Sequence, residues 1–299
     1  MTLVALDWGT SSLRGALLAD DGSLLEERSF ARGILTVEKG GFKAVFDSCF
    51  GDWMQPGTLC LIAGMAGSQQ GWMQAPYCPC PVGFADIAAQ LVWVEPHTTS
   101  RIAIVPGLSV DKGGIPDVMR GEETQVFGAL QLLGLNDACM VLPGTHSKWV
   151  TVTNQRVTDF STWMTGEFYA LLRQHSILAR TLPAADSAHV PQAFAQGVRT
   201  AVQGKGLLTT AFSVRALALF DRMAPSAMPS YLSGLVIGEE LKSQNLKIGD
   251  DLVLIGAPEL CARYEQALAL VGITAQIIGN QATWLGLHVL ANTLKNTTP

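Results

Sequence analysis

The stretch Leu3-Val4-Ala5-Leu6-Asp7-Trp8-Gly9-Thr10-Ser11-Ser12-Leu13-Arg14-Gly15-Ala16-Leu17 decides the reading of this chain. An apolar strand runs into a single acid, Asp7. A short turn follows, with Gly9 and the hydroxyls of Thr10, Ser11 and Ser12, and a second apolar strand leaves it. A carboxylate at a strand end suits a hydrated Mg²⁺, and Gly-hydroxyl turns let backbone N–H groups close on phosphate oxygens. Asp20-Asp21-Gly22-Ser23 supplies the next turn, so Leu24 to Phe30 is predicted to return as a third strand.

Outward from this hairpin, the 299 residues suit two domains, each able to bury a core. Hydrophobic residues at 48% and charged residues at 15% describe a globular protein. A net charge of −5 argues against a nucleic-acid or anionic-membrane binder. The first strand begins within two residues, so no secretory leader is expected, and no apolar run reaches the ~18 residues of a membrane span. The six cysteines (49, 60, 78, 80, 139, 261) are scattered and are expected to be reduced thiols of a cytoplasmic protein. Self-association is left open.

Val37 to Trp53 is predicted as a helix and Thr58 to Ala63 as a buried strand. Tyr77 to Pro81 must be extended or turn, and Ile102 to Pro106 is another buried strand. A helix is expected over Glu122 to Leu133. Ala138 to Leu142 and Trp149 to Thr153 then flank Pro143-Gly144-Thr145-His146-Ser147-Lys148, so strand, Gly-hydroxyl turn and strand occur twice. This duplication places the domain boundary near 135, giving domains 1–135 and 136–299. Helices dominate from Thr165 to Lys242. Strands at Leu252–Ile255 and Ala275–Ile278 and a helix from Gln281 to Lys295 finish the second half.

Three further segments carry chemistry. Gly144 and Thr145 suit phosphate oxygens through N–H and hydroxyl, with Lys148 adding charge. Arg120-Gly121-Glu122-Glu123-Thr124-Gln125 opens a helix with two acids. They suit the helix dipole, or supply the carboxylate that orients an acceptor hydroxyl and takes its proton. Leu254-Ile255-Gly256-Ala257-Pro258 is a strand end whose open backbone suits an adenine ring. The chain has no Walker A loop, dinucleotide fingerprint or nucleophile elbow, and Cys78, Cys80 and His97 lack zinc spacing. An aspartic-protease dyad is disfavoured, because the second hairpin turn lacks a matching Asp.

The order of these motifs, with Ala63-Gly64-Met65-Ala66-Gly67-Ser68-Gln69-Gln70-Gly71-Trp72 between them, resembles sugar kinases of the actin-like ATPase superfamily. More closely, the chain resembles the 2-dehydro-3-deoxygalactonokinase family, from residue 3 to about 290. The resemblance implies an α/β fold of two actin-like (ribonuclease H-like) domains, with mixed sheets flanked by helices and an interdomain nucleotide cleft. It implies ATP-dependent phosphorylation of a sugar acid at O6. On this reading Asp7 positions Mg²⁺, the turns at Gly9–Ser12 and Gly144–Thr145 grip phosphates, and Gly256, Ala257 and Pro258 form the adenine shelf. Arg14, Ser68, Gln69, Trp72, Asp117 and Arg120 are the candidate sugar-acid residues, Lys148 a further donor for its carboxylate, and Trp8 a further pocket wall. In glycerol and xylulose kinases a Gly-Asp-Gln-Gln segment carries the catalytic Asp; here Glu122 stands at that place. Glu122 is therefore preferred as the base, with Glu123 and Asp117 as alternatives. A kinase for another sugar or sugar acid, and a nucleotide-gated binding protein of the same fold, are the competing readings.

Overall fold

The computed structural model describes residues 2–94, 101–185, 187–279 and 281–297. β1 (Leu3–Trp8), β2 (Leu13–Leu18) and β3 (Leu24–Phe30) lead to α1 (Phe42–Phe50). β4 (Leu59–Gly64), β5 (Tyr77–Pro79), α2 (Phe84–Ala89), β6 (Val92–Val94), β7 (Arg101–Ile104), β8 (Gly107–Asp111) and β9 (Pro116–Met119) precede α3 (Glu122–Leu133). β10 (Ala138–Leu142), β11 (Ser147–Thr153) and β12 (Arg156–Trp163) follow. Next come α4 (Thr165–His175), α5 (Pro191–Gln203), α6 (Leu207–Thr210), α7 (Ser213–Leu219) and α8 (Met228–Lys242). The last elements are β13 (Asp251–Ile255), α9 (Pro258–Ala269), β14 (Thr274–Ile278) and α10 (Gln281–Thr297).

Contacts divide the chain into two units. One holds the residues to Met140, Val150–Ser161 and those from Ile278 on; the other holds Val141–Trp149 and Thr162–Ile277. The single boundary expected near 135 differs from this division, because the C-terminal helix packs with the first unit. A β-carbon on Gly128 of α3 would run into the carbonyl oxygen of Ala282 of α10, and one on Gly286 into that of Thr124. The two helices thus touch backbone to backbone, which only glycine permits.

In the first unit β1 lies between β2, antiparallel, and β4, parallel, within a mixed sheet of order β3-β2-β1-β4-β7-β6. Strands buried on both faces read as continuous apolar runs, as Leu3–Leu6 and Leu59–Ala63 do. The edge strand β3 is largely exposed and correspondingly polar. Leu6, Trp8, Leu13, Phe46, Phe50, Ile62 and Ile104 form the core against α1. The predicted helix at 37–53 is cut short at its start, where Gly40 takes φ 83° and Gly41 precedes α1. A small sheet, β5-β8-β9, occupies a stretch read from sequence only as extended at its start.

A second sheet has the order β12-β11-β10-β13-β14. In the second unit α8 is buried from Met228 to Gly238 and again at Glu240 and Leu241, so it shows no polar face over that length. Leu178, Val214, Met228, Tyr231, Leu232 and Leu235 form this unit's core. No helix among the described residues is long and apolar enough to cross a membrane.

Candidate active site

Asp7 pairs in register with Arg14 on β2 and with Ala63 on β4. Arg14 donates from Nη2 to Asp7 Oδ2 at 2.5 Å, so part of the acid's charge is already met. The turn beyond it closes with Gly9 N–H donating to Ser12 O at 2.9 Å. Ile34 and Leu35 donate their N–H groups to the carbonyls of Gly9 and Thr10. That brace satisfies the turn's acceptors and leaves Thr10, Ser11 and Ser12 exposed at its tip.

Two glycines with positive φ keep the space beside Asp7 open. Gly64, at φ 88°, ends β4, and a β-carbon there would lie 3.1 Å from Asp7 Oδ1 and 2.9 Å from Trp8 O. Gly121, at φ 104°, opens α3, and its β-carbon would lie 3.2 Å from Gly64 Cα. The ends of β1 and β4 and the start of α3 therefore converge, bringing Asp7 and the acids of α3 into one neighbourhood. One carboxylate with open space beside it fits Mg²⁺, which keeps most of its waters and takes few protein ligands. No group of three or more His, Cys, Asp or Glu able to cage a metal occurs among the described residues.

Glu122 and Glu123 are held differently. Glu122 is half-buried and its Oε2 accepts from Arg120 N at 3.0 Å. Glu123 is fully buried; its Oε2 accepts from Gly121 N at 2.6 Å, while Oε1 has no partner. Burial first, and then the negative charge of Glu122, push the Glu123 carboxyl up to about 8. Glu123 is thus largely protonated at neutral pH. Arg120 donates from Nη2 to Ala75 O at 2.8 Å and stacks 4.3 Å above the Tyr77 ring, yet its buried Nε and Nη1 have no partner. Its Nη1 lies against Gly67, and the next residue, Ser68, has a buried Oγ that is also unpartnered.

The other candidates separate. Gln69 is exposed and Trp72 half-buried, its ring centroid 6.0 Å from that of Trp8 in an edge-to-face arrangement. Trp8 itself is fully buried and donates to Arg32 O, so it is a core residue and not a pocket wall. Asp117 lies on β9, where its Oδ1 accepts from Val118 N at 2.8 Å. His97 lies outside the described residues. Cys78 and Cys80 are free thiols, raised by burial to about 11 and about 12.

In the second unit Gly144 and Thr145 form the turn between β10 and β11, with Thr145 exposed. They line a cavity of about 230 Å³ together with Thr165, Gly166, Arg263 and Tyr264. Gly256, at φ 158°, sits with Pro143 O 3.6 Å from where its β-carbon would be, so the expected adenine shelf adjoins this turn. Ala257 and Pro258 beyond it are exposed. Lys148, expected as a phosphate or carboxylate donor, is 5% exposed, and its Nζ donates to Thr162 Oγ1 at 2.6 Å. A further cavity of about 270 Å³ shares Thr165 with the first and is lined by Trp163, Phe168 and Glu240, without the turn.

Sequence reasoning missed Glu240. This buried acid accepts from Ser147 Oγ at 2.8 Å, Trp149 Nε1 at 2.6 Å, Tyr264 OH at 2.7 Å and Thr165 Oγ1. Burial pushes its carboxyl up, opposed by those four hydrogen bonds. Its signal was present in the sequence, as the second of two adjacent acids, Glu239-Glu240, that follow the apolar run of this helix.

A mixed sheet flanked by helices, with its first hairpin ending in Asp7 and a Gly-hydroxyl turn, is the architecture of the actin-like ATPases. The activator of 2-hydroxyisocaproyl-CoA dehydratase from Clostridium difficile, solved with bound ADPNP, shares the fold at TM-score 0.50 and 10% identity, over 99% of this chain and 97% of that one. Component A of (R)-2-hydroxyglutaryl-CoA dehydratase from Acidaminococcus fermentans does so at TM-score 0.51 and 12% identity, over 99% and 98%. Within that class the chain belongs to the 2-keto-3-deoxy-galactonokinase family, whose sequence model matches residues 7–290. It is 37% identical over 97% of its length to a Rhizobium meliloti (strain 1021) protein assigned as a 2-dehydro-3-deoxygalactonokinase, covering 96% of that protein. It is 35% identical to the 2-dehydro-3-deoxygalactonokinase of Escherichia coli (strain K12), covering 98% of each. A crystal structure of a Sinorhizobium meliloti protein assigned the same activity superposes at TM-score 0.90 with 35% identity, over 98% of this chain and 99% of that one.

Proposed function

We propose that this chain transfers the γ-phosphoryl group of ATP to the primary hydroxyl of 2-dehydro-3-deoxy-D-galactonate, giving the 6-phosphate and ADP. The observation that carries the reading is the set of unpartnered buried polar atoms beside the acids of α3: Ser68 Oγ, Arg120 Nε and Nη1, and Glu123 Oε1. A buried donor left unmatched costs about 1–3 kcal/mol, and more when charged. A sugar acid brings a carboxylate and keto oxygen for the arginine and serine, and hydroxyls for Glu123. Arg14, Gln69, Trp72 and Asp117 are the remaining candidates for contact with it.

Phosphoryl transfer is catalysed mainly by positioning and charge stabilisation. The exposed turn at Gly9–Ser12 binds phosphate oxygens on the first unit. On the second, Gly144 and Thr145 bind phosphate, and the adjoining cavity with Gly256–Pro258 holds the nucleoside. Asp7 would hold Mg²⁺ through its water shell, where the ion would neutralise phosphate charge. Glu122 orients the acceptor hydroxyl and takes its proton as the oxygen bonds to the γ-phosphorus; the bond from that phosphorus to the β,γ-bridging oxygen breaks and ADP departs. The neutral Glu123 beside it is a poor base but a competent donor. ATP as co-substrate and the free thiols at Cys78 and Cys80 suit the cytoplasm.

The test is product analysis by phosphorus NMR after incubation with Mg·ATP and the keto acid. Phosphate on the C6 hydroxyl is expected, and the galacto acid should outcompete its gluco epimer. Phosphate on another hydroxyl, or on neither acid, contradicts the assignment.

A further inference from the structure

Glu240 is a costly residue where it stands. It is 1% exposed in a helix with no polar face, and the four side chains that donate to it are all uncharged. A buried carboxylate carries a desolvation penalty of several kcal/mol, and apolar replacements of buried charges are often neutral or stabilising. Burying an acid here calls for a role that packing alone would not require.

Its four donors identify that role. Ser147 and Trp149 belong to β11, directly after the Gly144–Thr145 turn. Thr165 is the first residue of α4, and Tyr264 lies in α9. Thr165 and Tyr264 also line the 230 Å³ cavity, as do Gly144 and Thr145. One carboxylate on α8, which itself walls the cavity through Ser233, Val236 and Ile237, therefore ties β11, the strand leaving the turn, to the two other walling helices, α4 and α9. Gly166 packs so closely under the turn that a β-carbon on it would run into Gly144 O, and Thr145 O accepts from Glu167 N at 3.1 Å. Any shift of α4 away from Glu240 moves the turn with it.

We propose that Glu240 is a positioning residue for the nucleotide, fixing the Gly144–Thr145 turn against α4 and α9 so that the cavity is formed before ATP arrives. The inference rests on the kinase reading above, which places the nucleotide in this cavity. Pre-organisation of this kind raises affinity by lowering the ordering cost of binding.

Glu240→Gln keeps the volume. The amide oxygen can still accept from Ser147 and Trp149, and the amide nitrogen faces the Thr165 and Tyr264 hydroxyls, which accept as well as donate. What is lost is the charge-assisted strength of the tether, roughly half of it. Calorimetric titration with Mg·ADP is the test, alongside the KM for the sugar acid. Glu240→Gln should bind ADP roughly tenfold more weakly, with the sugar-acid KM within about twofold of wild type. Trp149→Phe, which removes one donor without touching the cavity wall, should weaken ADP in the same direction and leave the sugar-acid KM alone; it carries the test should the glutamine variant fail to fold. Wild-type ADP affinity in the variants, or equal losses for both ligands, would overturn the proposal. Absence of ADP binding to the wild-type protein would instead overturn the kinase reading, and this proposal with it.

Discussion

Arg14 and Asp7 face one another across the first hairpin, in register, with Nη2 2.5 Å from Oδ2. Both side chains keep contact with solvent, at 26% and 19% exposure. The pair therefore adds little stability, on the order of 1 kcal/mol or less. Its use is to hold the carboxylate at the strand end in a fixed rotamer beside Gly64, with Oδ1 facing the space that glycine leaves.

Asp7→Asn should therefore separate folding from catalysis. Its melting temperature should stay within a few degrees of wild type, while kcat falls about 100-fold or more, the scale expected when charge stabilisation at phosphate is lost. Thermal melts and steady-state kinetics at saturating Mg²⁺ check this together. Near-wild-type turnover would remove Asp7 from the metal role.

Gly64→Ala should lose both activity and stability. The backbone there has φ 88°, and the added methyl would press on Trp8 O and Asp7 Oδ1. Strain of this type costs about 1–3 kcal/mol. Urea unfolding should show that loss, and kcat should drop because Asp7 is displaced.

Glu123 gives a pH prediction. Its carboxyl, raised from 4.5 to about 8 by burial, holds a proton in the folded protein that the unfolded chain releases. The stability this group contributes is full below pH 4.5 and is lost as pH rises toward 8, by up to about 1.4 kcal/mol per pH unit. Glu123→Gln should flatten that decline. Urea midpoints measured from pH 5 to 8 decide the point; parallel curves for the two proteins would contradict a protonated Glu123.

The first hairpin, β4, α3 and the strands around the second turn were legible in the sequence because each obeys a local rule. Buried strands are continuous apolar runs, turns carry glycine and hydroxyls, and α3 begins at its two acids. The placement of an element against partners distant in sequence was not. α10 packs on α3 of the first unit where Gly128 and Gly286 let two helix backbones meet, a match between residues far apart in the chain. Trp8 reads as a pocket wall beside Asp7 but alternation along β1 turns it into the core. Glu240 went unseen because its meaning lies in four donors drawn from three other elements, none of them its neighbours in sequence.

Glu122→Gln should lower kcat by about 10²–10⁴-fold with the KM values for ATP and the sugar acid little changed, the range typical of a lost general base. Glu123→Gln should cost much less, because that carboxyl is already neutral near pH 7. Equal losses from the two substitutions would reopen the choice of base.

The central claim is that this chain phosphorylates a sugar acid, and acceptor-dependent ADP release measures it most directly. With Mg·ATP and 2-dehydro-3-deoxygalactonate, the purified protein should form one ADP per acid consumed, and almost none when the acid is omitted. Tight nucleotide binding with no acceptor-stimulated ADP release would contradict the account and leave a nucleotide-gated binding protein in its place.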